Sequence, residues 1–81
     1  MILVDISVPA LDEVFDFELD GEAEINELIK RITALIAQVQ EMKKKEVENL
    51  YLYHLQQKRI LNPQMTLKQQ GVQWGDRLIL L

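Results

Sequence analysis

The 81-residue chain contains no cysteine, which removes a disulfide framework, a thiolate metal site and a thiol nucleophile together. Three glycines and two prolines are too few for a disordered or low-complexity chain. A single histidine leaves no imidazole pair for a metal or a proton relay. No G-x-G-x-x-G turn, Walker loop or nucleophile elbow occurs. No apolar run comes near the roughly 18 residues that a membrane span needs. The opening MILVDISVPALDEV has no basic stretch ahead of its apolar residues and meets Asp5 early, so it does not read as a signal peptide. The expectation is a cytoplasmic chain with no membrane insertion, no cofactor, no metal and no catalytic residue.

Bases are also missing from the first third. Residues 1–27 hold nine acids and no base, whereas residues 28–81 hold nine bases and four acids. Solvated surface with helix-dipole matching is the plainer reading, and an acidic face that docks a basic partner is the sharper one. With a net charge of −4, nucleic acid is a poor partner, because phosphate binding needs a basic footprint.

The hydrophobic share, 48%, suffices for one core. A chain this short buries only about 60–65% of its unfolded surface, so residues 1–81 form one domain. Ile2, Val4, Ile6 and Val8 alternate with Leu3, Asp5 and Ser7, the period of a strand, and Pro9 ends its pairing. After a turn at 10–12, a second strand over 14–19 sets Phe15, Phe17 and Leu19 against Asp16 and Glu18, making a hairpin. The period then changes. Ile25, Leu28, Ile29, Ile32, Leu35, Ile36 and Val39 mark one face of a helix predicted over 23–42, with its end open between 40 and 48. Acids at 22, 24 and 27 and Lys43–Lys45 suit its dipole.

A third strand follows at 50–55, where either Leu50, Leu52 and His54 or Tyr51, Tyr53 and Leu55 face inward. A short strand at 59–61 comes next, then a helical turn at 66–70 with Thr66 as N-cap, stopped by Gly71. A tight turn at 74–76 precedes the last strand, 77–81. The order β-β-α-β-β-β with one amphipathic helix predicts an α+β mixed sheet covered on one face, with the last strand parallel to the first, the β-grasp arrangement.

Residues 66–81, TLKQQGVQWGDRLILL, resemble the C-terminal segment of ubiquitin-like proteins. The element spacing of the whole chain resembles the small ubiquitin-like proteins of bacterial type VII secretion loci, the YukD/EsaB family, with Leu67, Gly71, Gly75, Asp76 and Leu78 as the main identities. The resemblance implies a ubiquitin-like domain that binds other proteins, secretion-machine components among them. Ubiquitin and the sulfur carriers end in a Gly-Gly tail whose carboxylate is activated. Here Leu78, Ile79, Leu80 and Leu81 are expected in the core with no glycine after Gly75, so conjugation and sulfur transfer are not expected.

His54, within a strand, reads as a structural residue. Asp12, Glu13, Asp16, Glu18 and Asp20 lack the spacing of a calcium loop. Lys43–Lys45, offset by Glu41, Glu46 and Glu48, read as a solvated helix end. The candidate binding residues are Leu3, Tyr51, Tyr53 and Leu55 on the open side of the sheet, if Leu50 and Leu52 face the helix, together with Trp74. Tyrosine offers contact area with a polar tip. One-sided burial alone also leaves apolar residues outside. Trp74 is expected first as a cap on the core edge and second as a contact. A carrier with a longer tail and a homodimer through Tyr51, Tyr53 and Leu55 are the alternative functions.

Overall fold

A computed structural model describes residues 1–39 and 50–81, in which five strands and one helix form two layers. Strands β1 (Ile2–Val8) and β2 (Glu13–Leu19) pair antiparallel without a break from Ile2↔Leu19 to Val8↔Glu13. Pro9 cannot donate to a ladder and instead opens a 3-10 turn, Pro9–Leu11. Its carbonyl accepts the Asp12 N–H at 3.1 Å, and Asp12 takes a left-handed φ of 52° that aspartate tolerates.

Helix α1 (Ile25–Val39) starts at the first residue of its apolar pattern, two residues later than the predicted start at 23. The Ala23 N–H is held by the Asp20 carbonyl at 3.2 Å, and Glu24 bridges Thr66, so neither residue is free to begin the helix. Two of the N–H groups that every helix leaves open are met by a distant loop: Ile25 donates to the Met65 carbonyl and Asn26 to the Pro63 carbonyl, both at 2.9 Å. The expected helix end and Lys43–Lys45 lie outside the described residues. Ile25, Leu28, Ile29, Ile32 and Ile36 are buried against the sheet. Leu35 departs from the expected face and is 49% exposed, because it overhangs β2, the last strand on that side.

Strands β3 (Leu52–His54), β4 (Arg59–Ile60) and β5 (Arg77–Leu80) complete the sheet in the order β2-β1-β5-β3-β4. β5 runs parallel to β1 and antiparallel to β3, as the β-grasp requires. β3 is shorter than expected, although pairing continues past it: Tyr51 and Leu81 exchange hydrogen bonds of 2.7 and 2.9 Å. The inward residues of β3 are Leu52 and His54, with Leu50 packed at the core margin. Only half of the terminal run enters the core. Leu78 and Leu80 are buried, whereas Ile79 points to the other face and Leu81 is 51% exposed, since a strand alternates its side chains whatever their polarity.

The 66–70 turn is held as expected. Thr66 Oγ1 accepts the Gln69 N–H and Gln69 Oε1 accepts the Thr66 N–H, both at 3.0 Å, a reciprocal cap. Gly71 then takes a φ of 76°, a left-handed value that stops the turn. Beneath it, the buried Gln70 side chain accepts the Asn62 N–H at 2.7 Å and donates to the Asn62 and Thr66 carbonyls at 3.1 and 3.3 Å. This amide fixes the loop that caps α1. Gln70→Ala should lower stability by about 1–3 kcal/mol, because it strands the Asn62 N–H, whereas the Asn62 and Thr66 carbonyls keep the Met65 and Gln70 N–H groups. Urea unfolding followed by circular dichroism measures the loss.

Candidate protein-binding surface

The sheet has two unlike faces. One carries Val4, Ile6, Leu52, Leu78 and Leu80 under α1, and no helix among the described residues covers the other. The register sets the open face in rows. Val14 opposes Ser7, Ser7 opposes Ile79, Ile79 opposes Tyr53 and Tyr53 opposes Ile60, so one row crosses all five strands with a single polar member. Val14 and Ile60 are exposed by 63% and 56%, and Tyr53 and Ile79 are half-buried between neighbours. The Tyr51–Leu81 pair lies beyond this row on one side.

On the other side runs a polar row. Asp16 opposes Asp5, Asp5 opposes Arg77, and the Leu55 N–H donates to the Arg77 carbonyl at 3.0 Å. A shallow depression of about 420 Å³ between these rows is lined by Asp5, Ser7, Val14, Leu55, Arg77 and Ile79, among others. The Asp16 carboxyl is held above the usual carboxylate range, first by its hydrogen bond to Asp5 and then by the negative charge of Asp5. Like charges directly opposite destabilise a strand pair.

The five candidate residues do not form one patch. Tyr51, Tyr53 and Leu55 share a strand side and join Ile60, Ile79 and Leu81. Leu3 is on the same face but beyond the Asp5–Arg77 row, beside the turn in which its carbonyl accepts the Gly75 N–H at 2.8 Å. Trp74 is in that turn and is 64% exposed, so it does not cap the core. The turn is instead closed by Asp76, and Gly75 takes its φ of 86°. Ile60, Ile79 and Val14 were missed as surface residues. The signal for Ile79 was the alternation within the last strand, hidden by an all-apolar run.

His54 is 1% exposed and sits on the helix side. Its Nε2 donates to Asp76 Oδ2 at 2.7 Å, and the same oxygen accepts the Gln73 N–H at 2.9 Å. His54 Nδ1 is buried without a partner. The imidazole thus ties β3 to the turn before β5. No cluster of three or more histidine, aspartate or glutamate side chains suited to a metal occurs among the described residues.

The profile of the YukD protein of the WXG100 protein secretion system matches residues 3–80. The chain belongs to the YukD family. That family is tied to type VII secretion. No match exists among curated proteins. Among solved structures, the chain is similar to the EccD5 ubiquitin-like domain from Mycobacterium xenopi, with 24% identity over 99% of this chain and 91% of that one and a TM-score of 0.71. It is also similar to the ubiquitin-like domain of Dsk2 from Plasmodium falciparum, at 20% identity, 98% and 93% coverage and a TM-score of 0.70. A ubiquitin-like domain from Arabidopsis thaliana gives 17% identity, 99% and 74% coverage and a TM-score of 0.72. These likenesses establish the ubiquitin-like β-grasp fold for this YukD-family chain.

Two outcomes follow from the polar contacts. Asp76→Ala strands the buried His54 Nε2–H and removes the exposed bond to the Gln73 N–H, and should cost about 1–3 kcal/mol, more than His54→Leu, which strands no donor. Paired denaturant titrations compare them. Asp16 binds its proton more tightly folded than unfolded, so this contribution is complete below the unfolded value of 3.8 and is lost as pH rises through the folded one. Asp16→Asn should therefore raise the thermal midpoint at pH 7 and lose that advantage near pH 3, as melting curves across pH would show.

Proposed function

We propose that this YukD-family chain is a non-catalytic, cytoplasmic adaptor of a WXG100-type secretion machine that docks partner proteins on the open face of its sheet. The observation that carries this is the row Val14–Ser7–Ile79–Tyr53–Ile60, an apolar band across five strands bordered by the Asp16–Asp5–Arg77 row. A contiguous apolar band with a charged rim is the composition of a binding face, whereas scattered apolar residues are ordinary surface. Tyr51 and Tyr53 supply aromatic area on the band, and Leu55 and Arg77 lie where it meets the charged row. Leu3 and Trp74, at the far end of the face, form a second and smaller contact zone.

The reading treats the chain as binding partners without being joined to them. The intact mass of the protein isolated from its host distinguishes the free chain from a ligated or thiocarboxylated one.

The deciding experiment is affinity capture of secretion-system components from the source organism. The wild type, Tyr51→Ala/Tyr53→Ala and Trp74→Ala serve as baits after circular dichroism shows each to be folded. Components retained by the wild type should fall about tenfold or more with the double variant, the scale expected of paired interface aromatics. Equal capture by the double variant sinks the sheet-face reading. A concentration-dependent increase in sedimentation coefficient that the same double variant abolishes would reassign the face to self-association.

A further inference from the structure

β2 is an outer strand of the sheet, and its free side can be read from its neighbour. The Leu3 carbonyl accepts the Gly75 N–H and the Asp5 N–H donates to the Asp76 carbonyl at 3.1 Å, so these residues of β1 turn their backbone groups toward β5. Val4 and Ile6 consequently bond to β2, through Phe17 and Phe15. The intervening Val14, Asp16 and Glu18 direct their N–H and C=O groups outward. The strand is seven residues long, has no proline and keeps unbroken register, so apart from charge it lacks the devices that blunt an edge. The opposite edge, β4, is two residues long.

Two surfaces flank this edge. On the helix side, a groove of about 280 Å³ is lined by Phe15, Phe17, Leu35, Ile36 and Gln38, together with Asp16 at its rim. The two phenylalanine rings lie 6.1 Å apart and are only half-buried. The groove is smaller than the roughly 300–1,000 Å³ that encloses a small molecule, a size suited to side chains of a passing peptide. On the open side stand Asp16 and Glu18, with Asp5 behind them, a local excess of negative charge.

We propose that the outer edge of β2 docks an extended segment of a partner protein as a sixth strand, with apolar residues filling the groove beside α1 and lysine or arginine meeting Asp16 and Glu18. A strand alternates its side chains between faces, so one segment can satisfy both surfaces only with an apolar-basic alternation. Charge complementarity selects that segment over an acidic one, which Asp16 and Glu18 would repel. The site meets the apolar band at Val14 but does not include Tyr51 or Tyr53, and its occupancy is independent of the adaptor reading.

The test uses the full-length, isotope-labelled chain and a blocked synthetic heptapeptide that alternates lysine and valine. Amide hydrogen exchange is followed by nuclear magnetic resonance. At about ten times the dissociation constant, the Val14, Asp16 and Glu18 amides should exchange about tenfold more slowly. The Phe15 and Phe17 amides, already bonded to β1, should not change. Asp16→Lys keeps the fold, since lysine opposite Asp5 removes a like-charge pair, and should weaken binding about fivefold or more. Tyr51→Ala/Tyr53→Ala should bind the peptide as the wild type does, which separates this site from the sheet face. The proposal is overturned by no binding at millimolar peptide, by binding without slowing at the three outward amides, or by equal protection from the same peptide with glutamate replacing lysine.

Discussion

The parallel pairing of β1 with β5 joins the two ends of the described chain, and the remaining geometry depends on it. A parallel neighbour cannot be reached by a tight turn, so a crossover must lie between them, and α1 supplies it. β5 then occupies the centre of the sheet with β1 on one flank and β3 on the other. That central place buries Leu78 and Leu80 beneath the helix and sets Ile79 between Ser7 and Tyr53 on the opposite face. The turn before β5 is tied at the same junction, by Asp76 to His54 and by Gly75 to Leu3.

Among the described residues, a single helix covers one face of the sheet and no helix covers the second. The helix-side residues form one cluster from Val4 to Leu80, and within it the buried polar groups are His54 and Gln70. Both of these act on loops: Gln70 holds the segment that caps α1, and His54 holds the turn before β5. The open face has no such duty. Its opposed aspartates are a cost to the isolated fold, and the proposed docking of partner proteins would give its apolar band a role.

Much of the architecture was legible because each element carries its own period. The alternation of Ile2, Val4, Ile6 and Val8 and the helical spacing from Ile25 to Ile36 are local patterns, and both elements form where the pattern places them. The cap supplied by Thr66 was also readable, since its Oγ1 meets the N–H only three residues on. Leu35 shows the limit: its spacing matches the core face, yet whether it is covered depends on where the sheet stops. Trp74 shows the same limit, because an aromatic in a turn packs or projects according to what lies above it.

Local spacing and composition determined by themselves the order and kind of the main elements and their amphipathic faces. The direction of β3 could not be settled that way, because Leu50, Leu52 and His54 and Tyr51, Tyr53 and Leu55 present nearly equal apolar content. Register against β5 decided it, by pairing Tyr53 with Ile79 and Leu52 with Leu80. The joining of Tyr53, Ile79, Ile60 and Val14 into one band, and the opposition of Asp5 to Asp16, likewise arise from strand register. These residues are distant or unremarkable in the chain, and only pairing across strands sets them side by side.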